Sequence, residues 1–560
     1  MERKRKIRYG WTTVLIASLF LVVGCGSISG TVSSGGEPLA GVTVELEGPA
    51  CATTKTTTDD CGNYRFPWVA KGNYTVTPSL TGYSFTPENQ SVKMNKERHV
   101  TDVNFEGVPG IALYSISGTI TAGVGTLSGL TVSIAGVTSA STTTDAGGNY
   151  RFVDLPGGGY TVTPSPIPGY GFTPADVTLN ADMTVNFDAT PNTLRAWGLG
   201  ESGQLGNNQT ADSPVPVPVV NLSRVIAVSG GVYHSLALLD DGAVRAWGQG
   251  TSGQLGSGAF EANPVASPVP VDTTRWAAGR RVTAIAAGGF HSLALLDDGT
   301  VWAWGLGVYG QLGNGANDDY PFPTAVSITW GADKKVVAVA ACQDHSLALL
   351  DDGTVWAWGV GTSGQLGNGQ FGISSVPVQV QGLTGITSIA CGGYHSMAVG
   401  SGGTVWTWGD NIDGRLGWDT AGWPSSIPGR VTGLSGVISV AGGDYHSMAV
   451  TSTGTVWAWG LNTEGQLGVD PSSTPGGFSI TPVAVTGLTG VVNVAAGGSH
   501  SVAATSDGSV WTWGLNDHGQ LGNGSSGMGS YEFNPAAVSG LSNIIKVAAG
   551  SSHTLAVKSP

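Results

Sequence analysis

Charge is scarce in this chain. Only 11% of its 560 residues are Asp, Glu, Lys or Arg, and 24 basic residues face 38 acidic ones, for a net charge of −14. Nucleic-acid binding normally shows a basic footprint, so this balance argues against DNA or RNA as a partner. Cysteine numbers only five. No CxxC pair or His/Cys cluster at metal spacing suggests zinc, and no cofactor motif survives scrutiny. Helical periodicity is missing throughout, which excludes bundles and coiled coils. Glycine and tryptophan fill the gap, at 89 and 18 residues, a composition of short strands and tight turns. With 41% hydrophobic residues the chain can build a core, so wholesale disorder is excluded. Length suggests three or four domains.

Residues 1–25 read as a signal peptide. Arg3, Lys4, Arg5, Lys6 and Arg8 form a basic n-region, and the apolar stretch from Trp11 to Val23 is too short for a comfortable membrane span. Val22-Val23-Gly24-Cys25 resembles a bacterial lipobox. That resemblance implies a lipidated Cys25 as the first residue of the mature protein, anchored in a membrane. Gly26 follows, where an Asp often retains such proteins at the inner membrane. The expected address is therefore the bacterial cell envelope, at the outer membrane or cell surface. In an oxidising compartment Cys51 and Cys61 are candidates for a disulfide. Cys342 and Cys391 fall at nearly matching places of adjacent repeats and read as small buried thiols.

Two related segments follow, 26–109 and 113–190. Ser27-Ile-Ser-Gly-Thr-Val32 matches Ser115-Ile-Ser-Gly-Thr-Ile120, and Gly62-Asn-Tyr-Arg-Phe66 matches Gly148-Asn-Tyr-Arg-Phe152. Short alternating runs broken by Gly, Pro and Asn turns predict two small β-sandwiches. The run from Thr143 to Phe152, followed by Gly159-Tyr-Thr-Val162, resembles carboxypeptidase-regulatory-like domains. The resemblance implies non-catalytic spacers.

Seven times after Arg195 the chain spells Trp-Gly followed by a Gly-rich loop, at Trp197, Trp247, Trp304, Trp358, Trp408, Trp459 and Trp513. A near-constant spacing of this size marks an array of one supersecondary unit. One unit reads as a strand from Val282, a Gly288-Gly289 break, a strand from His291, an Asp297-Asp-Gly299 hairpin turn, a strand to Trp304, a Gly-rich loop and a Pro-rich edge strand over 321–328. The position three residues past each Trp is Gly200, Gly250, Gly307, Gly361, Asn411, Asn462 or Asn516. Only Gly and Asn occur there, which predicts positive φ. The array, 194–560, begins with a lone third strand and ends with a first and second. The two fragments complete one unit, the ring closure of a propeller. The fold class is all-β: a seven-bladed β-propeller preceded by two small β-sandwich domains. The unit Gly-Gly-x-His-Ser…Asp-Gly-x-Val-x-x-Trp-Gly…Gly-Gln-Leu-Gly resembles the regulator-of-chromosome-condensation repeat, whose family fold is a seven-bladed propeller.

Most eye-catching residues here are repeated scaffold. His234, His291, His345, His395, His446, His500 and His553 recur once per unit and are expected to tie blades together with the adjacent Ser. Gly198-x-Gly-x-x-Gly203 satisfies a dinucleotide pattern but no helix follows. Asp240-Asp241, Asp297-Asp298 and Asp351-Asp352 are turn tips, not converging acid pairs. Unrepeated aromatics are the candidate partner contacts: Trp276, Tyr320, Phe322, Trp330, Trp418, Trp423, Tyr531 and Phe533. The expectation is a non-catalytic, surface-anchored binding protein whose propeller rim takes a protein partner. The family resemblance implies, as alternatives, a guanine-nucleotide-exchange-like regulator or a secreted enzyme inhibitor. The aromatic loops leave a polysaccharide-binding role open.

Overall fold

The computed structural model describes residues 26–560, apart from 50, 96, 97, 124, 277, 278 and 332. Cys25 and the leader lie outside the described residues.

Each N-terminal repeat folds into two facing sheets. In the first, Gly26–Ser34 pairs antiparallel with Asn63–Val69 and parallel with Phe105–Pro109. The opposing sheet runs in the order Cys51–Thr57, Thr43–Gly48, Gly72–Ser79, Gln90–Met94. The period-2 alternation puts Tyr64 and Phe66 inward and Arg65 outward. The second repeat copies this plan, with Leu113–Ala122 on Asn149–Pro156. A buried tyrosine locks each sandwich: Tyr64 donates to the Val103 carbonyl and Tyr150 to that of Val185, both at 2.6 Å.

The expected Cys51–Cys61 bridge does not form. Cys51 opens the strand Cys51–Thr57, whereas Cys61 lies in the turn beyond its far end, as a free, exposed thiol. Seven extended residues span about 20 Å, and a disulfide tolerates Cα separations of up to about 7 Å.

The C-terminal region is seven four-stranded antiparallel sheets. Blade 1 comprises Val225–Gly230, His234–Leu239, Val244–Gly250 and Glu261–Pro270, from innermost to outermost. Blades 2 to 6 repeat it, with innermost strands Val282–Ala287, Val336–Ala341, Ile386–Cys391, Val437–Gly442 and Val491–Ala496. Blade 7 takes Ile544–Ala549 and His553–Lys558 from the C-terminus, and Thr193–Gly198 and Ser213–Pro218 from the start of the array. Leu194 pairs with Val557 and Trp197 with Thr554. The ring therefore closes as the two fragments predict, and no inner strand is left as an open edge.

Packing between blades uses the repeated residues. The tryptophan of every Trp-Gly pair is fully buried, against the core of the preceding blade. Trp247 Nε1 donates to the Gln204 carbonyl at 2.8 Å, and the same carbonyl accepts from Ser235 Oγ at 2.9 Å. His553 Nε2 meets that hydroxyl at 2.9 Å. The joint recurs around the ring. His234 reaches Ser292, His291 Ser346, His345 Ser396, His395 Ser447, His446 Ser501 and His500 Thr554, all between 2.7 and 3.0 Å. Since His553 returns to Ser235, the seven imidazoles and seven hydroxyls form a closed circle of contacts between neighbouring blades. Each hydroxyl spends its one proton on a carbonyl, so it accepts from the imidazole, and each Nε2 carries the hydrogen.

The Gly/Asn position does not have positive φ. The left-handed residues are the neighbouring glycines, such as Gly198 at +99° and Gly203 at +79°. Crowding and hydrogen bonding explain the restricted choice. A Cβ at Gly200 would stand 2.0 Å from the Ala211 carbonyl oxygen, and one at Gly307 1.9 Å from that of Asp318. Where Asn is used, its amide organises the loop: Asn411 Oδ1 accepts from Leu416 N at 3.0 Å while Nδ2 donates to Thr420 Oγ1 at 2.7 Å. Two residue types satisfy one site for different reasons.

Candidate functional site: the loop face of the propeller

Strand direction sorts the connections onto two faces. The Asp-Gly hairpin turns and the entries to the innermost strands share one, the turn face. The Gly-Gly breaks and the Gly-rich loops after Trp-Gly share the other, the loop face. Thr193 pairs with Lys558, so the chain both enters and leaves the propeller on the turn face. The second sandwich docks there. Asn192 N donates to Gly169 O at 2.8 Å and Arg224 N to Asn192 O at 2.9 Å. A side chain added at Gly169 would strike Arg224 and Asp240.

The acid pairs of the turn face are held by their own turns and by basic neighbours. Asp241 accepts from Ala243 N and pairs with Arg224 at 2.7 Å; Asp298 accepts from Thr300 N and pairs with Arg280 at 3.1 Å. Asp352 pairs with Lys334, and that contact together with Thr354 pulls its carboxyl down to about 2. These are ion pairs and turn hydrogen bonds that hold the hairpin tips.

The loop face is different in charge. Its loops carry Glu201, Asp212, Glu261, Asp318, Asp319, Asp410, Asp413, Asp419, Glu464, Asp470 and Asp517. Against them stand Arg415, itself buried, and half-exposed His518, which contacts Asp212 at 2.9 Å. The lysines and other arginines sit on strands or on the turn face.

The candidate aromatics do not gather into one patch. Trp276 and Trp330 are core residues, 9% and 6% exposed, and Trp330 packs edge-on against Trp356 at 5.9 Å. Tyr320 and Phe322 are half-buried on the outermost strand of blade 2, 5.8 Å apart, with Arg275 over the Phe322 ring at 3.6 Å. Trp418 lies across Gly429 and donates from Nε1 to Thr407 Oγ1 at 3.0 Å. Phe533 is half-buried against Gly465. Trp423 and Tyr531 remain exposed, at 74% and 43%, near the loop face on blades 4 and 6. Ile412, 69% exposed, adds an apolar contact to the same blade 4 loop.

The innermost strands line a central channel of about 400 Å³. Its loop-face mouth holds residues that sequence reading passed over. Gln343, Asp444 and Ser551 stand two residues before the ring histidines, where blades 2, 4 and 6 have Gly289, Gly393 and Gly498. Around them lie Tyr233, Phe290, Tyr394 and Tyr445. Arg415 binds this rim from below: Nη1 donates to Asp444 O at 3.0 Å, Nη2 to Asp413 Oδ2 at 2.6 Å, and the guanidinium lies 5.2 Å from the Tyr445 ring centre. Burial raises the Asp444 carboxyl, and Arg415 opposes the rise. The signal was available, because Arg415 is the copy of Gly-Gln-Leu-Gly in which Gln is replaced.

A further correction concerns the thiols. Cys342 and Cys391 are not free: they form a disulfide, Cα–Cα 5.6 Å, joining blades 3 and 4 at the channel wall. Matching repeat positions gave the clue, since equivalent ends of adjacent innermost strands face each other across a blade joint.

Comparison with known proteins fits this geometry. The model of the RCC1-like domain matches residues 183–558 and that of the carboxypeptidase regulatory-like domain matches 27–106 and 115–191. The human E3 ubiquitin-protein ligase HERC2 is 34% identical over 369 residues, 65% of this chain, yet the match spans only 6% of HERC2. The mitochondrial RCC1 domain-containing protein RUG3 of Arabidopsis thaliana is 32% identical over 67% of this chain and 91% of its own length. Prp20p of Saccharomyces cerevisiae, characterised for its binding to Gsp1p and histones, superposes with a TM-score of 0.60 at 25% identity, over 66% of this chain and 92% of its own. Such relatives support an interaction or regulatory role. With a propeller closed from both termini and family matches over its whole array, this chain belongs to the RCC1-like family, carried behind two carboxypeptidase regulatory-like domains.

Proposed function

We propose that the protein is a non-catalytic docking platform for a protein partner with a basic surface, bound on the loop face. The carrying observation is the asymmetry of the propeller. Its turn face holds the second sandwich and both ends of the propeller segment; its loop face is open, acidic and studded with exposed Trp423, Tyr531 and Ile412. Aromatic anchors in a charged rim are the usual anatomy of a protein interface, and an acidic field speeds encounter with a basic partner. Anchored through a lipidated Cys25 in a bacterial envelope, the two sandwiches hold this face away from the membrane. The His–Ser pairs, an array that imitates a nucleophile and its base, are 0% exposed, and their hydroxyls are committed to carbonyls. That supports a role without catalysis.

The test is capture from the organism's own surface fraction by the full chain at low and high salt. A protein retained by wild type, lost in the Trp423→Ala/Tyr531→Ala variant and released by salt supports the reading. A partner insensitive to both changes, or a glycan-array signal in place of protein capture, overturns it.

A further inference from the structure

Cys342, His345 and Cys391 sit together at the joint of blades 3 and 4. Among the described residues they are the group of three whose ligand atoms lie close enough to share an ion, all within 4.8 Å of one another. We propose that when the Cys342–Cys391 disulfide is reduced, these three residues bind Zn²⁺, so that the joint alternates between a disulfide staple and a metal clip.

The repeat itself shows how unusual the placement is. Three residues before the ring histidine, the other six blades carry glycine, and a Cβ built on any of these stands 2.1–2.5 Å from the imidazole Cε1. Blade 3 alone puts a side chain there, and it is a sulfur ligand. Its partner replaces the Ala or Gly that ends the other innermost strands, as at Ala287, Gly442 and Ala496. The histidine is already prepared. Its Nε2–H is held by Ser396 Oγ at 2.8 Å, and that hydroxyl donates to Gln365 O at 2.8 Å. This fixes the tautomer and leaves Nδ1 as a lone pair, which is buried with no hydrogen-bond partner. A zinc-bound imidazole has this arrangement, one nitrogen on the metal and the other donating outward. Two thiolates and an imidazole are a zinc donor set, at Zn–S about 2.3 Å and Zn–N about 2.0–2.1 Å. Both cysteines line the channel, so water can supply a fourth ligand.

The chemistry balances with a dithiol reductant. The dithiol gives two electrons and two protons to the protein disulfide and becomes a disulfide itself. The two protein thiols then release two protons as Zn²⁺ binds. A disulfide oxidant takes two electrons from the two thiolates and two protons from solvent, becomes two thiols, expels Zn²⁺ and restores the staple.

The test uses the full chain carrying Cys25→Ser, Cys51→Ser and Cys61→Ser, so that the remaining thiols are Cys342 and Cys391. After reduction and anaerobic removal of the dithiol, Co²⁺ serves as the spectroscopic stand-in for zinc. One equivalent is expected to produce a thiolate-to-cobalt charge-transfer band that Zn²⁺ displaces. X-ray absorption of the zinc form is expected to show two sulfurs and an imidazole. The band must vanish in Cys342→Gly/Cys391→Ala, a variant that restores residue types other blades use and so keeps the fold. Zinc should raise the melting temperature of the reduced parent and not of this variant. Absence of the band in the reduced parent, an equal band in the variant, or an all-oxygen shell overturns the proposal.

Discussion

Acidification tests the histidine circle. Seven imidazoles pass from water to complete burial on folding. Burial first, then neighbouring imidazoles, lowers His234, His291, His446 and His553 to about 3; burial alone takes His345 there. Burial brings His500 to about 4, and burial together with Arg415 holds His395 well below 6.5. The folded values are depressed and the folded rings are neutral. Below pH 6.5 the unfolded chain therefore binds more protons, and stability falls with pH from there to about 4. Each ring loses about 1 kcal/mol or a little more between pH 6 and pH 5. Together the seven lose about 9 kcal/mol over that single unit. At an unfolding entropy of about 2.1 cal/mol/K per residue, a propeller of roughly 370 residues should melt about 11 °C lower at pH 5 than at pH 6. Few other groups interfere in this window. Asp344 and Asp444, raised by burial, oppose the trend. The lowered carboxyls of Asp241, Asp298 and Asp352 lose their contribution only below about pH 4. Calorimetry of the propeller transition from pH 6.5 to 5 measures the effect. A shift of less than about 3 °C would refute a neutral, fully desolvated circle.

Three further outcomes follow from the same geometry. Cys342→Gly/Cys391→Ala removes a cross-link of sequence separation 49 and should cost about 4 kcal/mol, read as a fall of about 5 °C in non-reducing calorimetry; an unchanged transition denies the staple. Deleting residues 193–198 takes the third strand from blade 7, together with the Trp197 bond to Gln520 O at 2.9 Å, and should abolish the cooperative propeller transition; a preserved melting temperature denies ring closure. Replacing the rim by residue types that other blades carry, Gln343→Gly, Asp444→Gly and Arg415→Gln, should leave melting within about 3 °C yet weaken partner capture in the salt-dependent assay; undiminished capture removes the channel mouth from the interface.

The scaffold was legible because it repeats. Strand, Gly-Gly break, Asp-Gly turn and Trp-Gly loop each recur with the same neighbours, and the split first and last units forced a ring. Hydrogen-bond direction was not legible. His and Ser are neighbours in sequence, but the bond runs from His234 to Ser292 in the next blade, a contact set by the spacing of packed sheets. The Gly/Asn position was misread because φ is one of two reasons to exclude a Cβ. Here the reason is the approach of a carbonyl, as at Gly200, where it belongs to Ala211 in the loop just before the outer strand. The disulfide was missed for a related cause: Cys342 and Cys391 are 49 residues apart and become neighbours only because successive innermost strands converge on the axis. The aromatics divided by depth. Trp276 and Trp330 close blade edges while Trp423 stands in solvent, and composition alone carries no information on which side of a sheet a loop folds.

Departures from the repeat then become the informative residues, and several of them cluster in the sector of blades 3 to 5. A propeller held by seven equivalent joints has no structural need for a particular blade to differ. Yet Gln343 and the disulfide lie at blades 3 and 4, while Arg415, Trp418 and Trp423 occupy the blade 4 loop, and Asp444 stands at the head of blade 5. Arg415 links three of these features, bonding Asp413 in its own loop and the Asp444 main chain in the next blade, beneath Tyr445. A buried guanidinium costs desolvation that the Gln of the other copies avoids. Its placement beside a raised carboxyl and a cross-linked joint argues that the loop face is shaped most firmly in this sector. A partner that docks there meets a rigid, asymmetric rim, while the remaining blades supply the acidic field that draws it in.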